Sequence, residues 1–81
     1  MMTVEEIKAI LTVQFPAAEI NVEDLTGTFD HFEVRVISSH FQGKGLMEQH
    51  QMINQALAGP LEDGRIHGLK IKTMTPKQVT S

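Results

Sequence analysis

The chain contains no cysteine, no tryptophan and no tyrosine. Without thiols it can form no disulfide, present no thiolate nucleophile and build no cysteine-based zinc site. It also cannot hold an iron–sulfur cluster by itself, because such clusters are normally carried on thiolates. With only Phe15, Phe29, Phe32 and Phe41 as aromatics, it offers a poor stacking platform for single-stranded nucleic acid. No apolar run approaches the ~20 residues of a membrane span. The N-terminus lacks the basic-then-apolar pattern of a secretory signal. These absences predict a reducing, cytoplasmic setting with no membrane partner.

Eighty-one residues and 9.0 kDa imply a single domain spanning 1–81, too small to enclose a large internal cavity. The hydrophobic fraction of 41% and charged fraction of 21% fit a globular chain rather than a disordered one. The net charge of −3 is unevenly spread. Residues 1–64 carry Lys8, Arg35 and Lys44 against ten acids, whereas residues 65–81 carry Arg65, Lys70, Lys72 and Lys77 with no acid. The overall sign opposes broad nucleic-acid binding, and the basic tail leaves room for a local anionic partner.

Thr3-Val4-Glu5-Glu6 reads as a capping box opening a helix with Val4, Ile7, Ile10 and Leu11 at helical spacing. Pro16 ends it at residue 15 or before. Ile20 and Val22 alternate with Glu19, Asn21 and Glu23; Phe32, Val34 and Val36 alternate with Glu33 and Arg35. The two runs predict strands joined by the loop from Leu25 to Asp30 as an antiparallel hairpin. After a turn around Gly43-Lys44-Gly45, a second helix is expected with Leu46, His50, Ile53 and Leu57 on its apolar stripe. Gly59-Pro60 ends it, leaving at most one further helical turn over Leu61–Gly64. Arg65–Met74 predicts a third strand, with His67, Leu69 and Ile71 on one face and Lys70 and Lys72 on the other. The expected fold is α+β, in the order helix, strand, strand, helix, short helix, strand. Helices cover one sheet face; Glu19, Asn21, Glu23, Glu33, Arg35, Lys70 and Lys72 occupy the open one.

The candidates for chemistry are few. No two histidines stand at the i, i+4 spacing that places both rings on one helix face, so no self-sufficient zinc site is indicated. His50 reads as a structural histidine, and His40 as a local cap or local hydrogen-bonding residue. Ser38-Ser39-His40 lacks a nucleophile elbow and an acid partner. Gly43-Lys44-Gly45 completes neither a P-loop nor a dinucleotide fingerprint. Met47 and Met52 read as core fillers. No nucleophile stands out, so no enzymatic activity is expected. His67 has two readings: a half-buried strand-end histidine, or an imidazole held on a rigid edge with one nitrogen available to a metal. His31 follows Asp30, a carboxylate able to orient a metal-binding ring.

Several fragments, in order, resemble the BolA family: His31-Phe32-Glu33-Val34, Val36-Ile37-Ser38, Phe41-Gln42-Gly43-Lys44, Gln49-His50-Gln51-Met52-Ile53, Ile66-His67-Gly68-Leu69 and Lys72-Thr73-Met74-Thr75-Pro76. They run through nearly the whole chain and look most like the short BolA-like proteins of bacteria. The resemblance implies a class II KH-like fold and partnership with a monothiol glutaredoxin in iron–sulfur trafficking and iron homeostasis. It places the histidine of the family's I-H-A-L-like segment on His67. There it implies ligation of a 2Fe–2S cluster shared with thiolates of the glutaredoxin and of glutathione; alone, the chain carries no cofactor and is a monomer or weak homodimer. An imidazole ligand in place of a thiolate raises the reduction potential and makes release pH-sensitive.

The family's second ligand, a Cys or His in the first interstrand loop, has no counterpart in Leu25–Asp30. Either His31 substitutes for it or His67 acts alone. The resemblance also implies an alternative role as a DNA-binding transcriptional regulator, through the helix-turn-helix-like region 43–58 with Lys44, Lys70, Lys72 and Lys77. Such binding would weaken steeply with salt. Gln49 stands where an Arg often precedes His50, which weakens the case for phosphate contacts; Val79 stands where the family often ends in Trp.

Overall fold

The computed structural model describes residues 2–76. In chain order it comprises α1 (Val4–Gln14), β1 (Glu19–Asp24), β2 (His31–Ile37), a single 3₁₀ turn (Ser39–Phe41), α2 (Leu46–Ala56), α3 (Ala58–Glu62) and β3 (Gly68–Met74). This is the α+β order expected from the sequence. The capping box is formed: the Thr3 hydroxyl accepts from the Glu6 N–H at 3.1 Å, and the Glu6 carboxylate accepts from the Thr3 N–H at 3.0 Å. Ahead of Pro16, the N–H of Phe15 closes the last turn of α1 onto Leu11.

The strands lie in the order β1-β2-β3. β1 and β2 form the antiparallel hairpin, with Ile20 opposite Val36 and Val22 opposite Val34. β3 joins the other edge of β2 in parallel. A parallel partner requires a crossover, which α2 and α3 supply. Phe32, Val34 and Val36 are completely buried beneath Ile7 and Leu11 of α1, Ile53 of α2, and Phe41 and Leu57. The opposite face carries the expected polar residues, including Lys72, which pairs with Glu33 at 3.2 Å across the parallel strands.

Three local features depart from the sequence reading, and Met47, read there as a core filler, is 77% exposed. First, α2 turns Gln49 and Ile53 inward rather than Leu46 and His50. Leu46 is 63% exposed and His50 only half-buried. The reason is hydrogen bonding. The Gln49 amide donates to the carbonyl of Lys44 at 2.8 Å and lies 3.5 Å from that of Phe41; its oxygen accepts from Thr73 at 2.6 Å. A polar side chain therefore satisfies the turn before the helix and ties it to β3. Second, Gly59 and Pro60 lie inside α3. Pro60 occupies an early helical position, where its missing N–H has no intrahelical partner to lose. Third, β3 starts at Gly68 rather than Arg65. Gly64 takes φ +84°, a left-handed value open to glycine, and Asp63 holds both the N–H and the guanidinium of Arg65. Ile66 then turns into the core, and His67 lies outside the strand, projecting to solvent rather than in phase with Leu69 and Ile71.

Candidate functional site

The two sequence-predicted metal ligands, His31 and His67, are brought together at the corner where β2 and β3 begin. The parallel register sets His31 opposite Gly68. The carbonyl of Asp30 accepts from the N–H groups of His67 at 2.7 Å and Gly68 at 3.2 Å. The two ring centroids are 6.3 Å apart, with the planes at 77°. Gly68 makes room for this: a Cβ there would stand 2.5 Å from Cδ2 of His31.

The Asp30 carboxylate sits between the rings. One oxygen is 2.8 Å from Nδ1 of His31, and the other is 3.3 Å from Nδ1 of His67. The Thr28 hydroxyl also donates to the oxygen facing His31. Asp30 is held in place by its loop. The neighbouring Asp24 carboxylate accepts from the N–H groups of Thr26, Gly27 and Phe29, and Phe29 adopts a left-handed φ of +59° to complete the turn. The side chains of His31, His67 and Asp30 are 45%, 61% and 25% exposed. The hydrogen bonds from Thr28 and His31, with the nearby His31 and His67 charges, lower the Asp30 pKa from 3.8 to about 2.

That shift has a signed consequence. A carboxyl ionised more readily in the folded than in the unfolded chain stabilises the fold above the unfolded pKa. The contribution is complete above about pH 4 and disappears as pH falls through about 2. The urea midpoint of the wild type is therefore expected to fall more steeply between pH 4 and pH 2 than that of Asp30→Asn; parallel profiles would contradict this.

An ionised carboxylate only accepts hydrogen bonds, so Nδ1 of His31, hydrogen-bonded to it, is the donor, whereas Nδ1 of His67 faces the second oxygen as an ion-pair contact. Neither Nε2 has a hydrogen-bond partner among the described residues; that of His31 lies beside Gly68, 3.3 Å from where a Cβ would stand. Nε2 of His67 opens toward Gly64, where an added Cβ would lie 3.7 Å away. Among the described residues no group of three or more His, Cys, Asp or Glu is arranged to hold a metal ion. The corner thus offers two imidazole donors and needs further ligands from elsewhere.

The remaining candidates do not join this corner. His40 hydrogen-bonds locally: Ser38 caps the 3₁₀ turn by accepting from the His40 N–H at 3.1 Å, and the His40 Nδ1 is 2.9 Å from the same hydroxyl. Lys44 precedes α2 and faces Glu48 at 3.8 Å, while Lys70 and Lys72 project from the open sheet face. Lys77 lies outside the described residues. Sequence reasoning placed Asp30 beside His31 but missed its link to His67 and the role of Gly68. Both depend on a strand register that no local pattern encodes.

The BolA-like protein family model matches residues 8–78. This chain belongs to the BolA-like family. It is 40% identical over 80 residues to Protein BOLA2 of Arabidopsis thaliana, covering 96% of this chain and 84% of the relative. Its fold matches the BolA domain of SufE1 from Arabidopsis thaliana with a TM-score of 0.84 and 31% identity, over 93% of both chains. It matches yeast Fra2 with a TM-score of 0.78 and 26% identity, over 99% of this chain and 86% of Fra2. In this BolA-like chain, the I-H-A-L-like segment is Ile66-His67-Gly68-Leu69, so the residue after the histidine is the glycine that accommodates the His31 ring.

Proposed function

We propose that this BolA-like protein is a non-enzymatic adaptor that docks on a monothiol glutaredoxin and contributes imidazole ligation to a shared 2Fe–2S cluster. The observation that carries the reading is the state of His67: 61% exposed, with Nδ1 3.3 Å from the Asp30 carboxylate and no hydrogen-bond partner at Nε2 among the described residues. A donor in this state fits an iron atom whose other ligands arrive on a second molecule. The chain has no thiol of its own, so the sulfur ligands come from the glutaredoxin and from glutathione. His31 supplies the second imidazole, in place of the loop ligand absent from residues 25–30. The likeness to the BolA domain of SufE1 and to Fra2 supports a partner-binding role. The cluster is cargo in this reading, and the chain's own contribution is to hold two lone pairs in a fixed orientation.

The test is to mix the protein with a monothiol glutaredoxin, glutathione and a cluster source, and to record visible circular dichroism. A spectrum distinct from that of the glutaredoxin alone, co-eluting with this chain, is the expected result. An unchanged glutaredoxin spectrum would exclude the shared site.

A further inference from the structure

We infer that Asp30 is a positioning residue for both imidazoles at once, holding His31 and His67 in the Nδ1–H tautomer so that the lone pair of each ring is on Nε2. The inference deepens the reading above and rests on it for its purpose, although the tautomers are a property of this chain alone. Neutral histidine in water favours the opposite tautomer, with the proton on Nε2. A ring in that form points an N–H, not a lone pair, at an approaching metal from its outer edge. Asp30 reverses the preference by presenting one carboxylate oxygen to each Nδ1, hydrogen-bonded to that of His31 at 2.8 Å and 3.3 Å from that of His67.

The carboxylate has little freedom to do anything else. Its own carbonyl is bonded to the N–H groups of His67 and Gly68, and its His31-side oxygen also receives the Thr28 hydroxyl. Gly68 completes the arrangement by leaving open the space over which the His31 ring lies. One side chain thereby aligns two donors that are thirty-six positions apart in sequence.

The two carboxylate oxygens are equivalent as acceptors, and an asparagine amide is not. In Asp30→Asn the carbonyl oxygen should occupy the side already holding the Thr28 hydroxyl and His31. The amide NH2 then faces His67, whose Nδ1 must become an acceptor. The proton moves to Nε2 of His67, masking the lone pair proposed to bind iron, while His31 keeps its original tautomer. In Asp30→Ala both rings lose their acceptor.

The experiment is long-range 1H–15N correlation of the imidazoles in the chain alone, above the titration range of histidine. Wild type is expected to show Nδ1 protonated and Nε2 unprotonated in both rings. Asp30→Asn is expected to convert His67 only, and Asp30→Ala both rings. In the glutaredoxin complex, Asp30→Asn is expected to surrender its cluster to a chelator about 10- to 100-fold more readily. Wild-type rings protonated at Nε2, or variants with unaltered tautomers, would overturn the inference. So would tautomers that change with no change in cluster retention. The wild-type spectrum decides the first point even if a variant fails to fold. Tautomers as expected, with no cluster shared by wild type and glutaredoxin, would support the positioning role and refute the functional reading.

Discussion

His67→Ala is expected to return the visible circular dichroism of the glutaredoxin mixture to that of glutaredoxin without this chain. Removing an outer-shell partner of a metal ligand typically costs about 10- to 100-fold in metal affinity, and removing the ligand itself should cost more. The substitution leaves the fold intact, because the side chain is mostly exposed and its ion pair among the described residues is with the partly exposed Asp30. Such a pair contributes about 0–1 kcal/mol. The variant should therefore melt within a few degrees of wild type while losing the shared cluster. His31→Ala, removing one of two imidazoles, should alter the spectrum and weaken retention without restoring the glutaredoxin spectrum. A His67→Ala mixture indistinguishable from wild type would remove His67 from the site.

The second large effect concerns the scaffold. Phe32 follows His31 and is fully buried where β2 passes under the helices. Truncating a buried phenylalanine to alanine costs about 3–5 kcal/mol. At about 0.05–0.15 kcal/mol per residue, a chain of this length has roughly 4–12 kcal/mol in total. Phe32→Ala should thus lower the urea midpoint by a large fraction, with an unchanged slope, and at the low end of that range populate the unfolded chain in plain buffer. Phe29→Ala provides the contrast. Phe29 is 43% exposed, so its loss should cost much less. Equal midpoints for the two variants would contradict the assignment of Phe32 to the core.

The local patterns carried much of the fold. Thr3 and Glu6 announce α1 because a capping box needs only residues three apart. Ile20, Val22, Val34 and Val36 announce the hairpin because period-two alternation marks a sheet with one buried face. Gln49 was invisible to the same reasoning: hydrophobic spacing counts it as polar, whereas its amide satisfies buried partners in the preceding turn and in Thr73. The site was half legible. His67 was singled out by its strand-edge position and by its place in a family motif, and Asp30 by its adjacency to His31. Their convergence was not readable, since it depends on β3 entering beside β2 in a parallel register that places Gly68 opposite His31. The sequence shows a glycine there; only the packed strands reveal what it accommodates.

The most direct test of imidazole ligation is pulsed electron paramagnetic resonance of the reduced cluster in the glutaredoxin complex, with only this chain labelled by 15N-histidine. A 15N hyperfine coupling of directly bound imidazole should be present in wild type and absent from the His67→Ala mixture, whose cluster no longer involves this chain. A cluster held in the complex with no coupling to nitrogen from this chain would contradict it.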